Sequence, residues 1–599
     1  MTQERHPPGL YVLFFTEMWE RFGYYLMLGI LPLYLTDSQK GGLGMSDKEA
    51  FSIVGTYIAF VYLTPFIGGL LADRLLGFRI TILLGAVLMM LGYFMLAMPQ
   101  LLIPALAVII IGNGAFKPNI STLLGNLYPQ GSKLKDAGYN IFYMGINIGA
   151  FACNFVAAIV RNYFDRNPMQ MTENFSLGGW AAAFATAGIG MALGTIIFLT
   201  YYRNFHDADP DPKTKKGGGQ GSLWPLWLEC VGPAFLIGVC GFYGHPFLAD
   251  FLKQRFNFEF PFNAATLAFL IACLPVMVFY TRIWLKVPDP QDRGRVAALL
   301  VIFLVVIVFW MIFHLNTTAL TAFARDNTNR VPNQLVKYIT DLAEDFAENA
   351  PPNYYLNAGP EVPRPHRDTF RIVSTEEYKN LEQNKQLSVV EGKPVPVTRE
   401  LFEKVYKNTN ADTPILPVNQ HLKLVNTELF ASINPGWVVI LTPLLVAFFA
   451  FLRQRGLEPS TSAKIGLGLF LTACGPIVMY FAEVASGYQG LHSQSAKVSP
   501  MWLFGTYLVV TVGELCLSPM GLSLVSKMSP ANIRSFMMGG WFLSTAFGNK
   551  LSGIFGEVYT EWDHRNFWII LAVSGGLCGL IIFLLLPWLN RQMSTEAEK

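Results

Sequence analysis

The sequence predicts an all-α membrane protein: two six-helix bundles, an inserted two-helix hairpin and a small extracytoplasmic domain. Three observations carry this reading. Of 599 residues, 52% are hydrophobic and only 14% charged, against about one quarter charged in soluble globular chains. The apolar residues gather into about fourteen segments of spanning length, since about 20 residues cross the hydrocarbon core. The segments are also continuous, without the alternation of a membrane β-barrel.

Charge and cysteine usage narrow the class further. The formal charge is +3, from 44 basic and 41 acidic residues, too weak and scattered for a nucleic-acid partner. Cys153, Cys230, Cys240, Cys273, Cys474, Cys516 and Cys578 all lie in apolar segments without CxxC spacing. A disulfide framework or a zinc site is therefore not expected. Met1–Leu10 is short, and the first apolar segment carries three charges, unlike a cleavable signal peptide. The first helix is expected to stay and to start from the cytoplasm.

Six segments, near 12–35, 51–72, 80–99, 102–123, 140–161 and 180–202, make an N-terminal bundle over 1–205. The run Asp207–Gly221 (DADPDPKTKKGGGQG) reads as a flexible polar linker. It opens a linker and hairpin region, 206–295, with segments near 223–248 and 263–285. The first helix of the C-terminal bundle lies near 296–319, within 296–323. The remainder of that bundle, 433–599, has segments near 434–453, 463–486, 499–525, 535–557 and 567–589. Between them, 324–432 holds 13 Lys/Arg and 15 Asp/Glu, a soluble composition that reads as a small folded insert. Leu335, Ile339, Leu342 and Phe346 recur at helical spacing. Val395–Val397 suits a strand, and Arg399–Lys407 suits another helix with Glu400 and Lys404 at i,i+4. Lys and Arg concentrate in alternate short loops: Arg74 and Arg79, Lys133 and Lys135, Arg203 to Lys216, Arg293 and Arg295, Arg453 to Lys464, Lys527 and Arg534. The positive-inside rule then puts both termini in the cytoplasm and the insert outside. The expected location is the cell membrane, plasma or inner, with the lipid bilayer as surroundings and no obligate protein partner.

The most informative stripe is Glu17, Glu20, Arg21, Tyr24 and Tyr25. Its offsets of 0, 3, 4, 7 and 8 define one helix face. Three ionisable groups in one span must face a bundle interior or a wet cavity. The alternative is a purely structural salt-bridge knot.

These residues sit in EMWERFGYY, which resembles the ExxERFxYY motif of the proton-coupled oligopeptide transporter family. Other stretches agree. GGLLADRLLGFR (Gly68–Arg79) resembles the motif of the wider major facilitator superfamily. GNGAFKPNIS (Gly112–Ser121), NIFYMGINIGAF (Asn140–Phe151), INPGWVVILTP (Ile433–Pro443), GELCLSPMGLSLV (Gly513–Val525) and MGGWFLSTAFGN (Met538–Asn549) resemble family segments on further helices. The insert lies outside the likeness.

The resemblance implies a major facilitator fold and proton-driven import of di- and tripeptides by alternating access. No cofactor is implied; the proton is the coupling ion. A zwitterionic peptide needs a cation for its carboxylate and an anion for its amine. Arg21 and Lys117 suit the first, by fork and point charge. Glu514 suits the second, with Tyr25, Tyr62, Asn147 and Asn434 satisfying polar atoms that are costly to bury unpaired. The resemblance assigns Arg21 and Lys117 to the carboxylate end, and Asn147, Asn434 and Glu514 to the amine end. It has Trp310 and Trp541 wall the side-chain pockets, and Asp73 and Arg79 hold the inner face closed. Proton uptake on Glu17 or Glu20 would release Arg21 for the peptide carboxylate. One charge crossing about 100 mV gains about 2.3 kcal/mol, enough for a concentration ratio of roughly fifty-fold. Plainer roles stay open. Lys117 precedes Pro118 and could satisfy the carbonyl this proline frees. Glu514 could pair with Lys117 as a gate between the bundles. Asn147 and Asn434 could be interhelical hydrogen-bond links, and the tryptophans packing residues.

Two positions depart from the family pattern. Leu28 stands where many members carry a second arginine on the first helix. Phe313–Thr318 (FHLNTT) replaces the usual acidic run on the seventh helix of the core, with His314 or Asn316 near the acid's place. Losing both together avoids an orphaned charge but removes an expected outer gate bridge. Competing functions are a same-fold carrier of nitrate or another small solute, and a sensor using the insert. An enzyme finds no support, since GxSxG, HExxH and Walker-type motifs are missing.

Overall fold

The computed structural model describes residues 5–38, 40–129, 134–172, 175–209, 227–258, 263–330, 347–349, 371–372, 396–397, 423–488, 490, 497–530 and 533–593. The expected helices at 335–346 and 399–407, and most of the 207–221 linker, lie outside them. Helices dominate the remainder. They are α1 (Gly9–Thr36), α2 (Asp47–Leu63), α3 (Pro65–Leu71), α4 (Phe78–Leu96), α5 (Leu102–Asn126), α6 (Leu134–Arg166) and α7 (Gly179–Thr200). A second set follows: α8 (Gly232–Phe256), α9 (Ala264–Lys286), α10 (Pro290–Phe313), α11 (Ala319–Asp326), α12 (Ile433–Gln454), α13 (Thr461–Ala485), α14 (Met501–Met528), α15 (Arg534–Tyr559) and α16 (His564–Met593). Among the described residues, 12 helical stretches are long and apolar enough to cross a membrane. Helices α1 and α15 fall outside that set although they are 28 and 26 residues long. Each carries charge inside its span: Glu17, Glu20 and Arg21 in α1, Lys550 and Glu557 in α15.

Local chemistry sets the ends and breaks of these helices. Ser46 and Glu49 form a reciprocal capping box that starts α2, satisfying backbone N–H groups the first turn leaves open. Pro65 begins α3 directly after α2, because proline suits a first helical turn and interrupts a longer one. The expected single segment 51–72 is therefore two helices followed by a π-turn over Ala72–Leu76. Helix α10 stops at Phe313, and His314–Thr317 tightens into a 3-10 turn. There the Thr317 hydroxyl donates to the His314 carbonyl at 2.9 Å, competing with regular helix bonding. Of the strand expected at Val395–Val397, Pro396–Val397 is described and pairs in parallel with Arg371–Ile372. A hairpin of Met169–Thr172 and Phe175–Leu177 joins α6 to α7.

The N-terminal bundle buries one apolar core and the C-terminal bundle two adjoining ones. Helix α1 packs on α6 and α7, and α4 on α5 and α7. In the second bundle α13 packs on α14 and α16, and α10 on α15 and α16. Helices α8 and α9 pair with each other and touch the bundles only lightly, so their apolar sides face outward.

Two seams join the bundles: α2 against α15, and α6 against α12 with the turn Thr427–Ser432. Gly55 and Gly553 make the first possible. A Cβ on Gly55 would stand 2.5 Å from the Cα of Gly553, and one on Gly553 2.7 Å from the Cα of Gly55. Backbone cannot yield as a side-chain tip can. Gly553→Ala is expected to destabilise the closed seam by about 1–3 kcal/mol through overpacking. Thermal unfolding in detergent should show a lowered Tm, and an unchanged Tm would contradict the close approach.

Candidate functional site

The α1 stripe forms a charged knot inside the N-terminal bundle. Glu17, Glu20 and Arg21 are all buried, Glu20 completely. Arg21 presents its fork to Glu20: Nη2 donates to Oε1 at 2.8 Å, and Nε donates to Oε2. Nε also lies 3.2 Å from Glu17 Oε1. One guanidinium thus serves two carboxylates, and Glu17 Oε2 has no partner. From α5, Asn113 Nδ2 donates to Glu20 Oε1 at 3.5 Å.

Lys117 follows Asn113 by four residues, so both face α1. Its Nζ sits 3.8 Å above the centre of the Tyr62 ring, a cation–π contact. No bond from it to the Gly114 carbonyl that Pro118 frees is present among the described residues. Asn119, beside the proline, donates to the carbonyls of Ala115 at 2.6 Å and Gly68 at 3.1 Å.

Tyr62 is where the bundles meet. Its ring lies 5.9 Å from that of His314 and 6.5 Å from that of Trp310, both from the C-terminal bundle. Trp310 Nε1 is buried without a partner. His314 is buried, with Nδ1 3.1 Å from the Trp310 carbonyl, so it packs back on its own helix. Glu514 comes from α14. It accepts from Asn434 Nδ2 at 3.0 Å, and the same amide donates to Thr511 at 2.8 Å. Its carboxylate lies within electrostatic reach of Tyr25, Tyr62 and Tyr143 of the first bundle.

The structure therefore places Lys117, Tyr62 and Trp310 in contact where the bundles meet, with the Glu17–Glu20–Arg21 knot and Tyr25 on the first bundle's side and Glu514 with Asn434 on the second's. Four other expectations are placed differently. Among the described residues Lys117 and Glu514 form no ion pair with each other. Asn147 donates to the Tyr143 carbonyl of its own helix at 2.9 Å, so it is not an interhelical link. Trp541 packs over Gly521 and against Phe303 inside the C-terminal bundle. The Asp73 side chain lies outside the described residues. Arg79 pairs with Asp209 at 3.0 Å, and Asp209 also accepts from the Phe78 and Arg79 backbone at 2.7 and 3.2 Å. That clasp caps α4 within one bundle and does not bridge two.

The charged links between bundles that sequence reasoning missed lie at the end where the 324–432 insert emerges. Arg325 donates Nη1 to Asp47 Oδ1 at 2.9 Å and Nη2 to Oδ2 at 2.8 Å, with a further bond to Thr36 at 3.1 Å. Asp326 completes its shell. Arg161 meets Glu428 in a second fork at 2.8 and 3.1 Å. Lys550, fully buried in α15, donates to Thr56 of α2 at 2.7 Å. Arg161 and Lys550 carried a legible signal, being cations in apolar segments. Asp47 and Arg325 carried none, since each reads as an ordinary charge at a helix end. These pairs close the end at which Leu28 and FHLNTT remove the expected bridge.

Two helical bundles that bring charged side chains together where they meet define a multi-pass membrane transporter of the major facilitator fold. The chain belongs to the POT family, whose model matches residues 79–336 and 418–569. It is 28% identical to the uncharacterized transporter YclF of Bacillus subtilis (strain 168), over 98% of this chain and 95% of that protein. It is 28% identical to a di-/tripeptide transporter of Lactococcus lactis subsp. cremoris, over 97% of this chain and 95% of that one. The crystal structure of a peptide transporter POT in complex with sulfate superposes with a TM-score of 0.67 at 26% identity, covering 98% and 96% of the two chains.

Arg325→Gln should take the forked partner from Asp47, whose side chain is 8% exposed, whereas Asp326→Asn alters a side chain 28% exposed. Removing one partner of a buried pair costs about 3–5 kcal/mol. Thermal unfolding should rank Arg325→Gln well below Asp326→Asn, and equal Tm values would contradict the assignment of Asp47 as the main partner.

Proposed function

We propose that this chain imports di- and tripeptides together with protons by alternating access. One observation carries the reading: cations of the first bundle and an anion of the second lie near Tyr62, with Lys117 3.8 Å above its ring. Arg21 and Lys117 receive the peptide carboxylate, and Glu514, held by Asn434, receives the amine. The separation of charge matches a zwitterion better than a simple anion such as nitrate. The similarity to di-/tripeptide transporters along almost the whole chain supports the same substrate class.

Coupling follows from the shared guanidinium. Glu17 and Glu20 both draw on Arg21. Protonating one removes a competitor and frees part of the fork for a peptide carboxylate. Binding and protonation then favour each other, as symport requires. Lys and Arg distribution supports cytoplasmic termini and an insert outside the cell membrane.

Uptake into proteoliposomes under an imposed inward proton gradient tests this, with a dipeptide panel and nitrate as competitor. The native chain should accumulate dipeptide above its external concentration. Glu20→Gln should keep counterflow but lose uphill accumulation, and Glu514→Gln should raise KM at least about ten-fold, the loss of roughly 1.4 kcal/mol of binding. Uphill accumulation by both variants, or competition by nitrate alone, would overturn the proposal.

A further inference from the structure

Glu20 sits among hydroxyls that the charged knot does not use. Tyr57 of α2 and Tyr93 of α4 both lie within electrostatic reach of it. Tyr24 follows Glu20 by four residues and so shares its helix face. It lies within reach of both other tyrosines, and its ring centre is 5.1 Å from the Arg21 guanidinium. Asn113 of α5 donates to Glu20 Oε1 at 3.5 Å. Tyr93 comes this close because α1 is bare at Gly23. A Cβ there would stand 3.1 Å from the Tyr93 ring and 3.0 Å from the Ala187 carbonyl of α7.

Glu20, Tyr24, Tyr57, Tyr93 and Asn113 are each at most 2% exposed. Yet the three phenol hydroxyls and Asn113 Oδ1 have no hydrogen-bond partner among the described residues. A buried polar atom left unpaired costs stability, and such atoms are ordinarily satisfied by protein or by ordered water. One orphan is a local defect. Four orphans, carried by α1, α2, α4 and α5 to one carboxylate, are a set. Phenylalanine would fill nearly the same space at the three tyrosine positions without the cost.

The set has the composition of a water site. A buried water makes about two to four hydrogen bonds to polar groups. Phenol hydroxyls donate or accept, an amide oxygen accepts, and an ionised carboxylate has about four acceptor positions. Arg21 and Asn113 direct three N–H groups at Glu20, which leaves it room for a water. A water that donates to Glu20 and to Asn113 Oδ1 and accepts from a tyrosine satisfies one group of each kind. The other charged groups within reach of Glu20 are Glu17 and Lys117. Tyr62 lies within reach as well. Helix α7, packed on another side of α1, carries no ionisable side chain.

We infer that Tyr24, Tyr57, Tyr93 and Asn113 form a water-binding site inside the N-terminal bundle, whose water hydrogen-bonds Glu20 and hands it the proton. A proton arriving from the aqueous phase makes this water a hydronium. Transfer to Glu20 leaves a neutral water and a neutral carboxyl, and Arg21 loses one anionic partner. The tyrosines and Asn113 are positioning residues, since they act through the water. The inference rests on the coupling role proposed above for Glu20, but not on the identity of the cargo.

The test is infrared difference spectroscopy between neutral and acidic pH, on the full chain in lipid nanodiscs without substrate. Spectra are taken in ordinary water and in water carrying the heavy oxygen isotope. An O–H stretching band that shifts with the isotope reports bound water. The native chain should show one, Glu20→Gln should lose it, and Tyr57→Phe and Tyr93→Phe should each weaken or displace it. Tyr34→Phe should leave it in place, because Tyr34 lies 14 residues along α1, about 21 Å at 1.5 Å per residue. Thermal unfolding gives a second reading of opposite sign for the two cases. In a dry pocket, Tyr57→Phe and Tyr93→Phe remove an unpaired hydroxyl and raise Tm; with water bound they break a hydrogen bond and lower it. A native chain without an isotope-sensitive band, a band that survives both tyrosine variants unchanged, or a raised Tm in both would overturn the site. None of these readings needs a substrate. A chain that shows the band and its losses yet carries no dipeptide would sink the substrate assignment and leave the water site standing.

Discussion

Burying an arginine and two carboxylates within five residues of one membrane helix constrains everything around it. Each charge alone would be expelled or neutralised, so helix α1 is tolerable only with its partners in place. The knot is overdetermined on the acid side: two carboxylates share one guanidinium, with an amide from α5 as further support. That imbalance leaves Glu17 Oε2 without a partner. Lys117, seated on the Tyr62 ring, extends the positive field toward the second bundle.

The second bundle answers with few groups. Glu514 is fixed by an amide that is itself fixed by Thr511, so its carboxylate is oriented before any ligand arrives. Preorganisation of this kind cuts the entropy lost on binding. The two ends of the molecule are built differently. At the insert's end, charged pairs and the glycine contact of α2 with α15 draw the bundles together. At the end bearing Arg79, an ionic clasp among the described residues lies within the first bundle and shapes the start of α4.

Much of this was legible in the sequence, for identifiable reasons. Spanning helices announce themselves by length and apolarity, and most observed bounds lie within a few residues of expectation. The first hairpin helix, expected at 223–248, runs on to Phe256 and is preceded by a π-turn over Trp227–Val231. Its polar end, from Asp250 to Arg255, continues a helix that composition alone would stop. The α1 stripe was legible because charges at helical spacing inside an apolar run have one physical solution. Cross-bundle pairing was not legible. Asp47 and Arg325 are 278 residues apart, and Glu428 sits in a stretch whose composition reads as water-soluble. Only the fold brings it against α6. The wall role expected of Trp541 was unsafe for a related reason, because a tryptophan in an apolar helix looks the same whether it lines a pocket or packs on Gly521.

The central claim is that both bundles contribute opposite charges to a single peptide site. Cryo-electron microscopy of the chain in lipid nanodiscs with a bound dipeptide addresses it directly. The account predicts peptide density spanning the space at Tyr62, its carboxylate toward Arg21 and Lys117 and its amine toward Glu514. Density seated elsewhere, or helix-one charges turned toward lipid, would contradict it.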